Sequence, residues 1–157
     1  MICILKNKTK LVKYDKEFLN LSWEWLNDPE IKELTMTPKI TREMQKEWFD
    51  KLNDLDDYEI FGVQYDEKKI GAVGLKNIKY NNSAEYWGYI GNKEYWGHGI
   101  GSILIQEMEK RAREIGIKQI YLKVINFNLR AIKLYRSHGF VVNQNNNGVL
   151  IMIKDVV

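Results

Sequence analysis

The chain has 157 residues, 45% hydrophobic and 29% charged, enough for one domain with a substantial core. Its net charge of +3 comes from basic and acidic residues that are interleaved, as in Glu107-Met-Glu-Lys-Arg-Ala-Arg-Glu114, which reads as a solvated helix face and not a nucleic-acid surface. A lone cysteine, Cys3, rules out an internal disulfide and fits a reducing cytoplasm, two histidines argue against a Cys/His metal site, and no apolar run approaches the roughly 20 residues of a membrane span.

Met1 to Lys8 holds too short an apolar block for a secretory signal. Ile2–Lys6 and Lys10–Tyr14 read as two short strands around an Asn-Lys turn. Asp15 suits an N-cap, and Phe18, Leu19, Ser22, Trp25 and Leu26 fall on one helical face. Asn27-Asp28-Pro29 ends that helix, and Pro29 opens a short second one. Thr41 caps another, with Met44, Trp48, Leu52 and Leu55 as its expected apolar stripe.

Three strands follow, Tyr58–Tyr65, Ile70–Ile78 and Ala84–Ile90, joined by the polar turns Asp66–Lys69 and Tyr80–Ser83. Connections this short predict an antiparallel meander. From Ile100 the period becomes helical, with Ile100, Ile103, Leu104, Met108, Ala112 and Ile115 along one side and Gly116 as terminator. Gln119–Ile125 is apolar and β-branched, as a buried strand is. Asn128–Ser137 reads as a helix with Gly139 just past its end, and Phe140–Asn143 and Val149–Asp155 as a hairpin across the Asn-rich turn Gln144–Gly148. The pattern predicts one α/β domain over 1–157, a mixed sheet with helices on both faces.

The most informative stretch is Tyr95-Trp-Gly-His-Gly-Ile-Gly-Ser102, between a strand and a helix start. Gly97, Gly99 and Gly101 permit positive φ and close approach to the backbone. The first turn of the helix that follows, from Ile100, carries unpaired N–H groups and partial positive charge, so a pyrophosphate fits there without a cationic side chain. Ser102 adds a hydroxyl donor. His98 inside the loop is either an exposed polar residue or a minor phosphate contact. No Gly-Lys-Ser/Thr follows, and the loop comes after a meander rather than opening a βαβ unit, which speaks against a Walker loop and a dinucleotide fingerprint. A tight turn with no ligand remains the plain alternative.

Further on, Asn128, Ile132 and Tyr135 are spaced i, i+4, i+7 and share a helix face. An amide and a phenol can thus point at one ligand. The simpler reading is that Asn128 caps the helix and Tyr135 packs.

Three blocks together resemble the GNAT superfamily of acyl-CoA N-acyltransferases: Ala84–Gly91, Glu94–Ser102 and Val124–Phe140. The N-terminal Trp23-Glu-Trp-Leu-Asn-Asp-Pro-Glu30 resembles the subgroup that contains ribosomal-protein, spermidine and nucleotide-linked amino-sugar acetyltransferases. The resemblance implies a mixed, mostly antiparallel sheet of about seven strands with a splayed central parallel pair, Ala84–Ile90 beside Gln119–Ile125, flanked by about four helices. It implies acetyl-CoA as co-substrate and no metal. The pyrophosphate would meet the backbone of Gly97, His98, Gly99, Ile100, Gly101 and Ser102. The pantetheine arm would pair near Ile90 and Gly91, and Asn128 would contact the cofactor.

In the chemistry this implies, a primary amine attacks the thioester directly. Tyr135 protonates the leaving thiolate, Glu85 serves as base through water, and the N–H of Ile90 or Gly91 holds the oxyanion. Glu85 is equally readable as a structural carboxylate, and Cys3 is a packed thiol and not a nucleophile. Trp23 and Glu30 are candidates for the acceptor site. The expected acceptor is a small amine or an amino-sugar nucleotide. A protein N-terminus or ribosomal protein, a non-catalytic acyl-CoA sensor and a Rossmann-like nucleotide binder are the alternatives. The expected protein is cytoplasmic, a monomer or homodimer, without nucleic-acid or membrane partners.

Overall fold

The computed structural model describes residues 6–157. The expected Ile2–Lys6 strand lies outside them except for Lys6, which is helical together with residues 7 and 8, where a strand end and an Asn-Lys turn were expected. Cys3 is likewise outside. Seven strands form one sheet in the order β1-β2-β3-β4-β5-β7-β6, with β1 Thr9–Lys13, β2 Glu59–Tyr65, β3 Lys68–Lys79, β4 Ser83–Ile90, β5 Gln119–Ile125, β6 Val141–Asn146 and β7 Val149–Asp155. Every neighbouring pair is antiparallel except β4 and β5.

Besides the helical residues 6–8, five α-helices flank the sheet among the described residues: α1 Lys16–Asn27, α2 Pro29–Leu34, α3 Arg42–Lys51, α4 Ile100–Glu114 and α5 Leu129–Ser137. Four of them begin at a capping side chain. Asp15 accepts from Phe18 N–H, Asp28 from Glu30 and Ile31, Thr41 from Met44, and Asn128 from Ala131. α4 begins at Gly99, in the left-handed region at φ 87°, with no side-chain cap.

Each face of the sheet has its own core. On one side Phe18 and Leu19 of α1, with Trp48 and Phe49 of α3, cover Ala72, Trp87 and Tyr89. On the other, Ile100, Leu104, Met108 and Ala112 of α4, with Ile132 of α5, cover Val73, Leu75, Tyr86, Leu122 and Met152. The period of two along β4 therefore sends Tyr86 to the α4 side and Glu85, Trp87 and Tyr89 to the α1–α3 side.

Two residues of the expected α3 stripe, Trp48 and Leu52, pack on the Phe18 core, and the other two do not. Gln45 is the buried residue, donating to the Leu19 carbonyl at 3.1 Å, while Met44 and Leu55 are exposed. A polar side chain took the core position because a backbone acceptor was waiting there. The last hairpin also turns more tightly than expected. Its turn is Asn147-Gly148, both at positive φ, so β6 runs on to Asn146.

Candidate active site

The parallel pair supplies the opening. β4 and β5 are paired only at Ser83–Gln119, Ala84–Ile120 and Glu85–Tyr121, and then they part. Gly91 N–H donates to the Ile70 carbonyl of β3 at 2.7 Å. Antiparallel alternation therefore points the N–H groups of Tyr86, Gly88 and Ile90 the other way, toward β5 and into the split. Gly91 is thereby corrected as an oxyanion donor: its hydrogen is already committed, and it lies outside the cavity wall against the ring of Trp25. Ile90 keeps its N–H for the gap, while its carbonyl accepts from Trp96 Nε1 at 2.7 Å.

A cavity of about 1240 Å³ runs through the split, and both faces of the sheet contribute to it. From the α4 side come Gly97, Gly99, Ile100, Gly101 and Ser102, with Asn128, Leu134 and Tyr135 of α5. The amides of Gly97, His98 and Gly99 donate to no protein atom among the described residues. Gly97 and Gly99 sit at φ 75° and 87°, and a Cβ on Gly97 would enter open space. A loop of free donors leading into an uncapped helix start is chemically suited to an anion. His98 is exposed and does not line the cavity; only its backbone belongs to the loop.

Tyr135 lies edge-on to both Tyr86 and Phe140, with ring centroids 6.2 and 6.0 Å away. Burial pushes its phenol up to about 12, so it is protonated at neutral pH. Asn128 uses its Oδ1 to cap α5, at 3.3 Å from Ala131 N, and its Nδ2 has no protein partner among the described residues. The side chain that caps α5 also lines the cavity.

From the opposite face come Glu85, Trp87 and Tyr89, the α1–α2 residues Ser22, Leu26, Glu30 and Ile31, and the wall Leu34 to Ile40. Glu85 is only 4% exposed. Its carboxylate accepts from Asn77 Nδ2 at 3.1 Å and lies 3.7 Å from Lys76 Nζ. Tyr14 and Tyr89 both donate to Ser22 Oγ, at 2.7 and 2.9 Å. Burial raises the Tyr14, Tyr58 and Tyr89 phenols, which makes this wall neutral and aromatic. Glu30 lines the mouth but is paired with Lys93 at 3.0 Å. Trp23 is not brought to the cavity; its ring lies 4.8 Å from the Arg42 guanidinium on the outer surface.

Sequence reasoning overlooked Trp87 and Tyr89, although alternation with Glu85 along one strand was the signal. It also overlooked Trp96, whose ring is flanked by Lys93 and Arg130 at 5.7 and 5.5 Å, and the Leu34–Ile40 wall, which carries no motif at all.

The family model for the acetyltransferase (GNAT) family matches residues 20–140, and the chain belongs to that family. A probable spermine N(1)-acetyltransferase of Bacillus subtilis subsp. natto is 29% identical over 109 residues, 66% of this chain and 64% of that protein. An uncharacterized protein of Methanocaldococcus jannaschii is 26% identical over 125 residues, 78% of this chain. The chain thus spans somewhat under two thirds of the first relative and about a quarter, 26%, of the second.

Among solved structures, spermidine N-acetyltransferase from Vibrio cholerae, in complex with CoA and spermine, superposes with a TM-score of 0.83 at 24% identity over 95% of this chain and 96% of that one. Campylobacter jejuni N-acetyltransferase PseH in complex with acetyl coenzyme A gives 0.72 at 21% identity, covering 94% and 98%. At these identities the likeness is one of fold. It bears out the seven-stranded mixed sheet with one splayed parallel pair.

Proposed function

We propose that the protein transfers an acetyl group from acetyl-CoA to a primary amine by direct attack. The observation that carries this reading is the strand split: two unpaired amides, Gly88 and Ile90, open onto one cavity that also holds the free donors at the start of α4, the Tyr135 phenol and the Glu85 carboxylate. These residues fit a thioester carrier. The amides from Gly97 into the first turn of α4 meet its diphosphate, and Asn128 Nδ2 is free to reach its arm. Acetyl-CoA, when bound, supplies the activated carbonyl carbon and a leaving thiol. The PseH complex with acetyl coenzyme A, on the same fold, supports that choice.

The chain's own residues divide the chemistry by sheet face. Ile90 N–H donates to the oxygen on which charge develops, a kind of contact typically worth about 2.7–4 kcal/mol. Glu85, on the α1–α3 face, takes the proton of the attacking ammonium, directly or through water. Tyr135, on the α4 face, donates to the departing sulfur. Burial holds its phenol above the usual thiol range, so it is protonated when substrates bind and offers its O–H as a hydrogen bond to the growing thiolate.

For the acceptor we infer a compact amine or an amino-sugar nucleotide in preference to a polyamine. Polyamines need unpaired carboxylates spaced along a channel. Here the two carboxylates of the cavity wall, Glu30 and Glu85, are each already beside a lysine, and Lys123 and Arg130 add positive charge to the same wall. The aromatic planes of Trp48, Tyr58 and Trp87 suit a sugar or base face.

A thiol-release assay with acetyl-CoA tests this over a panel of spermidine, nucleotide-linked amino sugars, simple amines and an N-terminal peptide. Turnover highest on an amino-sugar nucleotide or a compact amine supports the reading, and turnover highest on spermidine or the peptide removes the acceptor assignment. Thermal stabilisation by CoA with no turnover on any amine identifies a sensor. Stabilisation by NAD and not by CoA removes the reading altogether.

A further inference from the structure

Ser102 and His138 make a short side-chain hydrogen bond, Oγ to Nε2 at 2.6 Å, that joins the first turn of α4 to the C-terminal cap of α5. Ser102 lines the cavity beside Gly97, Gly99 and Gly101, whereas His138 stands behind it, outside the wall. The contact is held from both sides. Leu134, one turn before His138, lies where a Cβ on Gly101 would meet its Cδ2 at 2.9 Å, so α5 sits tight on the start of α4. Nδ1 of His138 has no protein partner among the described residues, so no second bond fixes which ring nitrogen carries the hydrogen.

A serine hydroxyl has one hydrogen. If Nε2 is bare, that hydrogen goes to His138, and the cavity is offered only a lone pair, which repels an anion. If Nε2 carries a hydrogen, His138 donates to Ser102, and the serine hydrogen is free to turn toward the cavity. Two states of the ring satisfy the second condition, the neutral Nε2–H tautomer and the imidazolium. The imidazolium also lends positive charge through a single oxygen.

We propose that His138 is a positioning residue that sets the hydrogen-bond direction of Ser102 and thereby couples proton uptake to binding of the diphosphate at α4. This rests on the reading of the site as one for an acyl-CoA diphosphate. Charged groups near this end of α5 include Arg136 on α5 itself, Lys154 of β7, whose Nζ lies 3.9 Å from the Cβ position of Gly139, and Glu109 of α4, which is bonded to that lysine at 2.7 Å. Lys154 and Glu109 neutralise each other, and Arg136 is exposed, which leaves the serine as the ring's one hydrogen-bond partner among the described residues.

The sign follows. An anion accepting from Ser102 favours a ring with hydrogen on Nε2, which the imidazolium always carries, so affinity is fullest at the acid end and falls as pH rises. His138→Gln places an amide donor at a similar reach with no titration.

The experiment is calorimetric titration of CoA into the wild-type protein, His138→Gln, His138→Ala and Ser102→Ala, between about pH 5.5 and 8.5. The terminal phosphate of CoA titrates in the same range, so the readout is the difference between profiles. The wild type is expected to lose several-fold more affinity with rising pH than any of the three variants. His138→Gln should bind better than His138→Ala at the alkaline end. Imidazole ¹⁵N spectra should place the hydrogen on Nε2 when CoA is bound. Folding of the variants is checked by circular dichroism. Superimposed profiles for wild type and His138→Gln, or a bare Nε2 in the complex, overturn the coupling while leaving the diphosphate site standing. No binding of CoA by the wild type at any pH overturns both.

Discussion

Asn77 donates its side-chain amide to the carboxylate of Glu85 at 3.1 Å, and it does so from a left-handed backbone, φ 50°, at the irregularity where the β3–β4 register shifts. A non-glycine residue in that region costs on the order of 1 kcal/mol or more. The bulge turns an amide toward a carboxylate that is itself almost fully buried. Glu85 is thus fixed on the α1–α3 face, where an amine entering over Trp87 and Tyr89 would meet it.

Glu85→Gln keeps the shape and the Asn77 contact but cannot accept a proton. If Glu85 is the base, the variant should lose about 10²-fold or more in kcat/KM at neutral pH, with part of the loss recovered at alkaline pH, where the amine is already neutral. CoA affinity should hardly change. Steady-state kinetics against pH checks this, and an unaltered profile would assign Glu85 a purely structural place beside Lys76 and Asn77.

Tyr135→Phe removes one oxygen that has no protein hydrogen-bond partner among the described residues, so stability should shift by less than about 1 kcal/mol. Turnover should drop by about 10²-fold with CoA affinity intact. Burial raises the phenol from 10.0 to about 12, and Tyr14 moves likewise. The folded chain therefore retains these protons when the unfolded chain releases its own. Their contribution to stability is fully present below pH 10 and is lost as pH climbs toward 12. Alkaline denaturation followed by circular dichroism should be shallower in the variant.

The scaffold was legible where a local pattern and its tertiary use agreed. The period of α4, the alternation of β2 to β4 and the caps at Asp15, Asp28, Thr41 and Asn128 each follow from a few adjacent residues, and each is present. The site was legible only in its motifs. Gly91 and Ile90 are neighbours in sequence, but which of the two faces the split depends on the pairing of Gly91 with Ile70, 21 positions earlier. Trp23 resembled a ligand residue because it left the core face, and nothing local revealed that Arg42, on another helix, would cover it. The Leu34–Ile40 wall is irregular chain placed by packing alone.

Gly97→Ala tests the anion loop with the smallest possible change. The added methyl meets no protein atom within 4 Å, so the protein loses only the roughly 1–2 kcal/mol of a left-handed residue with a Cβ. The methyl enters the space where the diphosphate is proposed to lie. CoA affinity should fall about tenfold or more, with kcat at saturating CoA nearly unchanged. Calorimetry with CoA reads the effect, and retained affinity would move the diphosphate away from this loop.

Glu109 and Lys154 tie α4 to β7 across the back of the larger core. The glutamate side chain is 10% exposed and the lysine 25%, with Nζ 2.7 Å from Oε1 and Arg113 only at 4.0 Å. Lys154→Met leaves a nearly buried carboxylate without its main partner. It should cost about 3 kcal/mol, the low end for a broken buried pair, because Arg113 and solvent retain part of the compensation. Glu109→Gln in the same background removes the orphaned charge and should restore much of the loss, so the double-mutant cycle should show clear coupling. Urea unfolding measures all four proteins. Additive losses would mean that the pair contributes nothing as a pair and that packing of Ile105, Met108 and Met152 alone holds the helix in place.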